Sequence, residues 1–210
     1  MVRILLADDH DVVRSGLRHI IAAQPNWQVV AEAGDGKEAV QKALDTKPDV
    51  AVIDYSLPLI SGLEATRQIR AALPQTEVLI FTMHDTDAFV EELLKAGARG
   101  YVLKTDARSH LIGAIEALAA HELYFTAKVS EALLGSFLSH HAQDRSALTH
   151  RERSVVQLIA EGYTNKQIGG LLDISLKTVE THRAAIMRKL NLSSSTELVR
   201  YAIRNQIVEP

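Results

Sequence analysis

Short aliphatic runs alternate with longer amphipathic stretches through the first 121 residues of the chain. The aliphatic runs predict five strands, at residues 2–7, 28–33, 50–53, 78–81 and 100–103. The stretches between them repeat apolar residues at helical spacing, and they predict helices at about 12–23, 37–45, 62–72, 86–96 and 107–121. Strands that alternate with helices imply parallel crossover connections and a sheet covered on both faces. The pattern therefore predicts an α/β domain with a five-stranded, doubly wound parallel sheet.

The alternation stops after residue 121. Residues 122–147 contain one apolar cluster after Thr126, which predicts a short helix and consists of Leu133, Leu134, Phe137 and Leu138. The polar stretch SHHAQDRSA follows, lacks periodicity and is typical of a linker. We therefore predict a first domain at 1–121, a linker with a short helix at 122–147, and a second domain at 148–210.

The second domain is predicted to be all-α, with four helices at about 150–161, 165–172, 176–190 and 195–206. In a capping box, a hydroxyl and a Glu or Gln three residues later satisfy the free N–H groups at a helix start. Three starts fit this motif: Thr149 with Glu152, Thr164 with Gln167, and Ser194 with Glu197. Ser175 is predicted to cap the remaining helix. Gly162 would end the first helix, and a three-residue turn at 173–175 would join the second and third, as in a helix-turn-helix.

The expected core of these four helices consists of aliphatic residues at helical spacing, with Ile174 filling the turn. Its other predicted members are Leu158, Ile159, Ile168, Leu171, Leu172, Val179, Ile186 and Leu190.

Composition and charge add two restrictions. The chain has no cysteine, which excludes disulfides, cysteine zinc sites and thiol catalysis. It also lacks an apolar run long enough for a membrane span and an N-terminal signal-peptide pattern, so we expect a cytoplasmic protein without a membrane partner. Residues 1–121 carry 12 Lys and Arg against 17 Asp and Glu, whereas residues 146–210 carry 9 against 6. An acidic front and a basic back favour two domains with different partners.

Polar residues stand at the ends of four of the predicted strands. Asp8 and Asp9 follow the first strand, Asp54 the third, Thr82 the fourth and Lys104 the fifth. Because the carboxyl ends of parallel strands meet at one rim of a doubly wound sheet, we expect these side chains to converge. Three clustered carboxylates require a cation, and hard oxygen ligands favour Mg²⁺. With a lysine and a hydroxyl opposite, the set is suited to phosphoryl transfer onto a carboxylate.

Four sequence motifs resemble the receiver domain of a two-component response regulator, a flavodoxin-like fold. They are ADDH at 7–10, IDYSLPLISG at 53–62, FTMHD at 81–85 and GYVLKTDA at 100–107. The resemblance implies that Asp54 is the phosphoacceptor. It also implies Mg²⁺ ligation by Asp9 directly, by Asp8 largely through water, by Asp54 and by the backbone carbonyl of Ser56. The remaining implied roles are phosphoryl contacts from Thr82 and Lys104, and an aromatic switch at Tyr101 that turns inward.

Three residues depart from the usual receiver pattern. Leu57 replaces the Met that commonly precedes the Pro, which is a volume-conserving change. Thr105 follows Lys104 where many receivers have Pro, so the peptide geometry there is an open question. Met83 follows Thr82 where many receivers have a small residue. We hypothesise that Met83 and His84 slow dephosphorylation by shielding the acyl phosphate.

Residues 148–202 resemble a LuxR/NarL-type helix-turn-helix over almost their whole length. The resemblance implies that the third of the four helices enters the major groove of double-stranded DNA. The implied base-facing residues are Glu180, Thr181 and Ala184. Residues implied to contact phosphate or flanking bases are Lys177, Thr178, His182, Arg183 and Lys189, and the preceding helix would be anchored by Asn165 and Lys166. A dimer contact on the last helix is implied around Val199, Ala202 and Ile203.

Together these features predict a phosphorylation-controlled transcription factor that a sensor histidine kinase modifies and that forms a homodimer when phosphorylated. One alternative is an aspartyl-phosphate phosphatase, although such enzymes usually carry a second acid close after the nucleophile, where this chain has Ser56. Another is a DNA-binding protein whose first domain serves only for dimerisation or ligand sensing. The signal, the operator and the direction of regulation stay open, as does the choice between a closed and an open resting state.

Overall fold

The structure is a computed structural model that describes residues 1–83, 90–126, 148–205 and 207–208. The chain divides into two compact units, Met1–His141 and Ala142–Pro210. None of the helices within the described ranges has both the length and the apolar character that crossing a bilayer requires.

The first unit contains a five-stranded parallel sheet in the order β2-β1-β3-β4-β5. Helices alternate with these strands, as the sequence predicts. The elements are β1 (Val2–Ala7), α1 (Asp11–Ala22), β2 (Trp27–Ala33), α2 (Gly36–Thr46), β3 (Val50–Ile53), α3 (Gly62–Ala72), β4 (Glu77–Thr82), α4 (Val90–Ala96), β5 (Gly100–Leu103) and α5 (Ala107–Ala119). The start predicted for α4, at residue 86, falls outside the described residues.

The sheet is buried on both faces, which confirms the doubly wound prediction. In β1, Leu5 packs into one apolar cluster with residues of α2, α3 and α4, whereas Ile4 packs into a second cluster with residues of α1 and α5. All four residues of β3 and all six of β4 are buried. This double burial explains why these strands appear in the sequence as continuous aliphatic runs rather than as alternating ones.

The chain after α5 returns to the sheet edge. The Tyr124 N–H donates to the Arg99 carbonyl at 3.0 Å, and the Tyr101 N–H donates to the Tyr124 carbonyl at 3.1 Å. Phe125 packs against the same apolar cluster as Tyr101. The first residues of the predicted linker thus satisfy hydrogen-bonding groups at the open edge of β5. The short helix predicted after Thr126 lies outside the described residues.

The second unit contains four helices close to the predicted bounds. They are α6 (His150–Ala160), α7 (Asn165–Leu172), α8 (Leu176–Lys189) and α9 (Ser195–Arg204). Gly162, at φ +89°, ends α6 as expected. The predicted aliphatic residues form its core, with Leu171, Ile174 and Leu190 partly buried at the margin.

The predicted helix starts are confirmed with one correction. The boxes at Thr149 and Thr164 are complete, and the Ser175 side chain accepts from the Thr178 N–H. Ser194 caps α9, but Glu197 does not complete a reciprocal box. Its carboxylate instead accepts from the N–H and the hydroxyl of Ser193, at 2.7 and 2.9 Å. Two serines precede α9, and the Glu197 carboxylate binds Ser193, the residue before the cap, instead of the backbone N–H of the cap residue Ser194.

Candidate functional site

The acidic residues predicted to converge do meet at the carboxyl rim of the sheet. Asp8 directly follows β1 and Asp54 directly follows β3, and the Asp54 N–H donates to the Ala7 carbonyl at 2.8 Å. Oxygens of Asp8, Asp9 and Asp54 and a ring nitrogen of His10 lie within 4.8 Å of one another. Asp8 and Asp54 are buried, with Asp54 only 3% exposed, whereas Asp9 is exposed. The rim is thus a pocket with two buried carboxylates at its floor and one at its entrance.

Lys104 bridges the two buried carboxylates. Its Nζ lies 2.6 Å from Asp54 Oδ2, with which it forms a hydrogen bond, and 2.7 Å from Asp8 Oδ2. Lys104 begins the 3-10 turn Lys104–Asp106 directly after β5, so the fold carries it across the rim to the acids. In this arrangement the ammonium neutralises a pair of carboxylates that would otherwise repel each other.

Burial and pairing act in opposite directions on the pKa values of this group. Burial raises the pKa of Asp54, and the nearby Asp8 carboxylate adds to the rise, while the Lys104 ammonium partly opposes it. For Lys104, burial lowers the pKa, but the carboxylates of Asp54 and Asp8 outweigh it, so the net shift is upward. The positive charge of Lys104 is therefore held firmly at the site where an incoming anion would sit.

The donor set fits a hard divalent cation. Asp8 Oδ2 is buried and has no hydrogen bond of acceptable geometry within the described part of the chain, although the Lys104 ammonium lies beside it. This buried carboxylate oxygen and the two further acids beside it offer the ligand type and charge that Mg²⁺ prefers. Asp8, Asp9 and Asp54 are the residues that would hold it. The Ser56 N–H donates to Asp54 Oδ1 at 3.3 Å and so helps to orient that carboxylate.

Two further residues contact the acidic loop and were not predicted as site residues. The His10 backbone N–H donates to Asp8 Oδ1 at 2.9 Å, and its Nδ1 lies 2.8 Å from Asp9 Oδ1. The Asp9 carboxylate is the main reason why the pKa of His10 is raised. Arg14 donates from its guanidinium to the Asp8 carbonyl. His10 could have been predicted as a site residue, because it directly follows Asp8 and Asp9 in the sequence. The contact of Arg14 could not, because it depends on the orientation of α1 relative to β1.

The predicted phosphoryl contact and switch residues stand on the neighbouring strands. Thr82 is buried at the end of β4, where it pairs with Leu103 of β5. Tyr101, on β5, is 5% exposed and belongs to the same apolar cluster as Leu93 and Ala96 of α4. The ring therefore points inward in this structure, toward the helix that follows Thr82 in the chain.

The loop after Asp54 is held by a close backbone approach. The Gly62 N–H donates to the Tyr55 carbonyl at 2.9 Å, and a Cβ added to Gly62 would lie 1.9 Å from the Asp54 carbonyl oxygen. Only glycine fits at this place, because the start of α3 packs directly on the backbone that presents Asp54. The glycine in the motif at 53–62 thus fixes the position of the candidate phosphoacceptor.

The three residues that depart from the receiver pattern lie in different surroundings. Leu57 is fully buried, so it fills the core as its volume suggests. Thr105 lies within the 3-10 turn, and there are no cis peptide bonds among the described residues. Met83 is 60% exposed, directly after Thr82. His84 lies outside the described residues, so the proposed shielding is argued from Met83 alone.

In the second unit, the exposed residues of α8 fall on one face. They follow a spacing of three or four residues from the first turn of the helix, and they are Leu176, Lys177, Glu180, Thr181, Ala184 and Arg188. The three residues implied to face bases all belong to this set. His182, Asn165 and Thr178 are partly exposed, and Lys166 is exposed at the start of α7. The hydroxyl of Thr178 lies 2.8 Å from the Ser175 hydroxyl, and Thr181 donates to the Lys177 carbonyl at 2.9 Å.

Lys189, which is predicted to contact DNA, forms an ion pair within the second unit. Its Nζ donates to the nearly buried Glu152 Oε2 at 2.6 Å, an oxygen that also accepts from the Thr149 N–H at 2.7 Å. Because removing the cation from a buried carboxylate strongly destabilises a fold, the ion pair of Lys189 with Glu152 stabilises the second unit. Arg188 stands one position earlier, on the exposed face of α8. The sequence spacing alone does not show that Lys189 pairs with Glu152 while the adjacent Arg188 is exposed.

The predicted dimer residues of α9 divide in the same way. Ile203 is 39% exposed and Val199 is partly exposed, so both remain on the surface. Ala202, in contrast, is fully buried in the core of the second unit. On a helix, a residue next to Ile203 lies about 100° around the axis, which here turns Ala202 toward the core.

Comparison with known proteins identifies a family for each of the two units. Residues 4–116 match the family of response regulator receiver domains, and residues 146–202 match the luxR family of bacterial regulatory proteins. The oxygen regulatory protein NreC of Staphylococcus epidermidis is 41% identical over 217 residues, covering 99% of this chain and 100% of that protein.

Solved structures extend the likeness over both units. The response regulator ChrA, from a heme-sensing two-component system, is 35% identical with a TM-score of 0.53, over 99% of this chain and 98% of that one. RcsB of Salmonella enterica serovar Typhimurium, bound to promoter rprA with the phosphomimetic BeF3⁻, is 26% identical with a TM-score of 0.68, over 95% and 97%. The chain belongs to the LuxR family of two-component response regulators, transcription regulators with a receiver domain and a helix-turn-helix domain.

Proposed function

We propose that Asp54 accepts a phosphoryl group from a sensor histidine kinase or from a small phosphodonor. In this step an Asp54 carboxylate oxygen forms a bond to phosphorus, while the bond from phosphorus to the donor nitrogen or oxygen breaks and the electron pair leaves with the donor. Lys104 supports the proposal most directly, because its ammonium lies 2.6 Å from Asp54 Oδ2 and can follow the phosphoryl oxygens. Mg²⁺ held by Asp8, Asp9, Asp54 and the Ser56 carbonyl would neutralise charge on the phosphoryl group.

The proposed response starts at Thr82 and Tyr101. The new phosphoryl dianion draws in Lys104 and the Thr82 hydroxyl, and the inward position of the Tyr101 ring against α4 is favoured. Tyr101 also donates its N–H to the Tyr124 carbonyl, directly before the segment that leads to the second unit. A free-energy coupling of about 1–3 kcal/mol between Asp54 and the DNA-binding unit would be enough to switch occupancy.

The proposed output, in the cytoplasm, is binding of double-stranded DNA by a homodimer. The exposed face of α8 carries Glu180, Thr181 and Ala184 and would read bases in the major groove. Lys177, Lys166 and Arg188 are the exposed cations that would meet phosphates. Val199 and Ile203 of α9 would pair two copies of the second unit across a two-fold axis, so that two half-sites are read.

The test of the proposal is the intact mass of the protein after incubation with acetyl phosphate and Mg²⁺. We expect one added phosphoryl group, and none in Asp54→Ala or when EDTA replaces Mg²⁺. The phosphorylated protein should then enrich a specific duplex from a randomised pool more strongly than the untreated protein. Equal enrichment in both states would contradict phosphorylation control and favour a receiver that serves only for dimerisation. A protein that turns over small phosphate esters without retaining the group would instead be a phosphatase.

A further inference from the structure

Arg183 lies in the middle of α8 and contacts the first residues of two other helices. Its Nη1 donates to Asn165 Oδ1 at 2.7 Å, and its Nη2 donates to Ser195 Oγ at 3.1 Å. Asn165 is the first residue of α7, and Ser195 is the first residue of α9. One guanidinium thus connects the candidate recognition helix to both of its neighbours, and we call Arg183, Asn165 and Ser195 the Arg183 clasp.

The geometry of the clasp suits arginine and does not suit lysine. A guanidinium presents its N–H donors in a rigid planar fork, so two acceptors on different helices are held at a fixed separation. A lysine ammonium is a compact point charge on a flexible stem, and one Nζ does not reproduce the two-nitrogen spacing. Arg183 is also only partly exposed, whereas the face of α8 that would enter the groove is formed by exposed residues.

The Arg183 clasp fixes the start of α7 relative to α8, and the proposed DNA complex requires both of them in defined positions. The start of α7 carries the exposed Lys166 next to Asn165, where a backbone contact is proposed, and α8 carries the base-reading residues. The helix α8 can enter the groove while the start of α7 contacts the DNA backbone only if the angle between these two helices is already fixed. A small change in that angle would weaken contacts that Arg183 itself does not make.

We infer that Arg183 is a positioning residue, which raises DNA affinity by fixing α8 to α7 and α9 and not by neutralising a phosphate. This inference rests on the proposed function of α8 in DNA binding. The two roles differ in a measurable way. A phosphate contact contributes about 0.9 to the slope of log affinity against log salt, and it survives replacement by another cation. For a positioning residue, in contrast, substitution leaves the salt slope unchanged, and the contribution to DNA affinity is lost even when lysine replaces arginine.

The experiment uses the full phosphorylated chain and the duplex that the wild-type protein enriches from a randomised pool. Fluorescence anisotropy gives the dissociation constant at several KCl concentrations for Arg183→Lys and Arg183→Gln. We expect both variants to lose about 5- to 30-fold in affinity, with the salt slope of the wild type retained. Lys177→Gln, at an exposed lysine of the same helix that is proposed to contact phosphate, is the comparison for a phosphate contact and should lose affinity together with about 0.9 of the salt slope. Thermal unfolding identifies the temperature range in which every variant is folded, and binding is measured there.

Ser195→Ala provides a second route that keeps Arg183 in place. It removes one acceptor of the clasp and should lower affinity in the wild-type background, but it should have little further effect in Arg183→Lys. This non-additivity separates positioning from a general loss of stability, and it keeps the inference testable if Arg183→Gln does not fold.

Two results would overturn the inference. In the first, Arg183→Lys binds like the wild type while Arg183→Gln loses affinity and about 0.9 of salt slope, which identifies a phosphate contact. In the second, Arg183→Lys, Arg183→Gln and Ser195→Ala all bind like the wild type, so the clasp has no role in binding. A wild-type protein that enriches no duplex in either phosphorylation state contradicts the proposed DNA-binding function itself, and is distinguished from both results.

Discussion

Lys104 sets the balance of charge in the acidic pocket. Its ammonium lies 2.6 and 2.7 Å from the carboxylate oxygens of Asp54 and Asp8, where it competes with any cation for the same acids. We therefore expect Lys104→Met to raise Mg²⁺ affinity about tenfold, since one nearby positive charge is removed. Isothermal titration calorimetry measures the change, with Lys37→Met, an exposed lysine of α2, as the control. Weaker Mg²⁺ binding in Lys104→Met would show that the ammonium orients the acids more than it competes.

Met83 offers a second prediction for a single residue. Its side chain is 60% exposed next to Thr82, while Asp54 is almost fully buried. If Met83 keeps water from the acyl phosphate, Met83→Ala should shorten the half-life of the phosphorylated protein roughly threefold, a barrier change of about 0.7 kcal/mol. Loss of the added phosphoryl mass over time gives the rate. Leu44→Ala, which trims an exposed apolar residue of α2, should decay like the wild type. An unchanged half-life in Met83→Ala would remove the shielding hypothesis.

The start of α3 shows how one element presents a site residue. A Cβ at Gly62 would approach the Asp54 carbonyl oxygen to 1.9 Å, which backbone cannot accommodate without moving. Gly62→Ala should therefore lower the free energy of unfolding of the first unit by about 3 kcal/mol and slow phosphorylation by acetyl phosphate. Gly16→Ala is the matched control, because Gly16 lies within α1 with no heavy atom within 4 Å of its added Cβ. That change should stabilise the unit by about 0.5–1 kcal/mol. Urea unfolding compares the two variants, and equal stabilities would contradict the argument.

The junction of α6 and α8 gives a prediction on pH. Burial raises the pKa of Glu152, but the Lys189 ammonium and the Thr149 N–H outweigh it, so the net pKa lies below the ordinary value of 4.5. A carboxylate with a lowered pKa in the folded state stabilises the fold above its ordinary pKa, and this stabilisation is lost as the pH falls through the folded pKa. The wild-type second unit should therefore lose more stability than Glu152→Gln as the pH falls from 6 toward about 3. Thermal unfolding followed through α6 amide signals measures this, and parallel losses would contradict it.

Periodicity predicted the elements well because burial dictates it. β3 and β4 are covered on both faces and so are uniformly apolar, and the helices keep one apolar stripe each. The convergence of Asp8, Asp54 and Lys104 was predictable as well, since parallel strands end at a common rim. Sequence spacing does not encode the partner that each side chain takes. Lys189 pairs with Glu152, Ala202 packs in the core of the second unit, and Glu197 binds Ser193 rather than completing the predicted capping box.

At the scale of the whole molecule, the two units differ in charge as well as in fold. In the proposed function, the acidic first unit accepts the phosphoryl group at Asp54 and the basic second unit binds DNA through α8. A signal at Asp54 would then act on DNA binding through an equilibrium of the whole chain, such as dimer formation. A dimer that binds two half-sites gains affinity because its second binding event is intramolecular, so no further type of protein–DNA contact is needed.

Ile203 provides a test of whether a dimer reads the two half-sites together. Ile203 is the exposed apolar residue of α9, and a charge placed there should oppose close pairing of two copies while leaving α8 unaltered. We expect Ile203→Glu to weaken binding of the phosphorylated protein to a duplex with two half-sites about tenfold, and to leave binding to a single half-site unchanged. Asn205→Glu places the same charge directly after the helix and is the matched control. Equal losses on both duplexes would indicate a DNA contact or a folding defect. No loss on either would place the dimer contact elsewhere, with the receiver domain as the next surface to test.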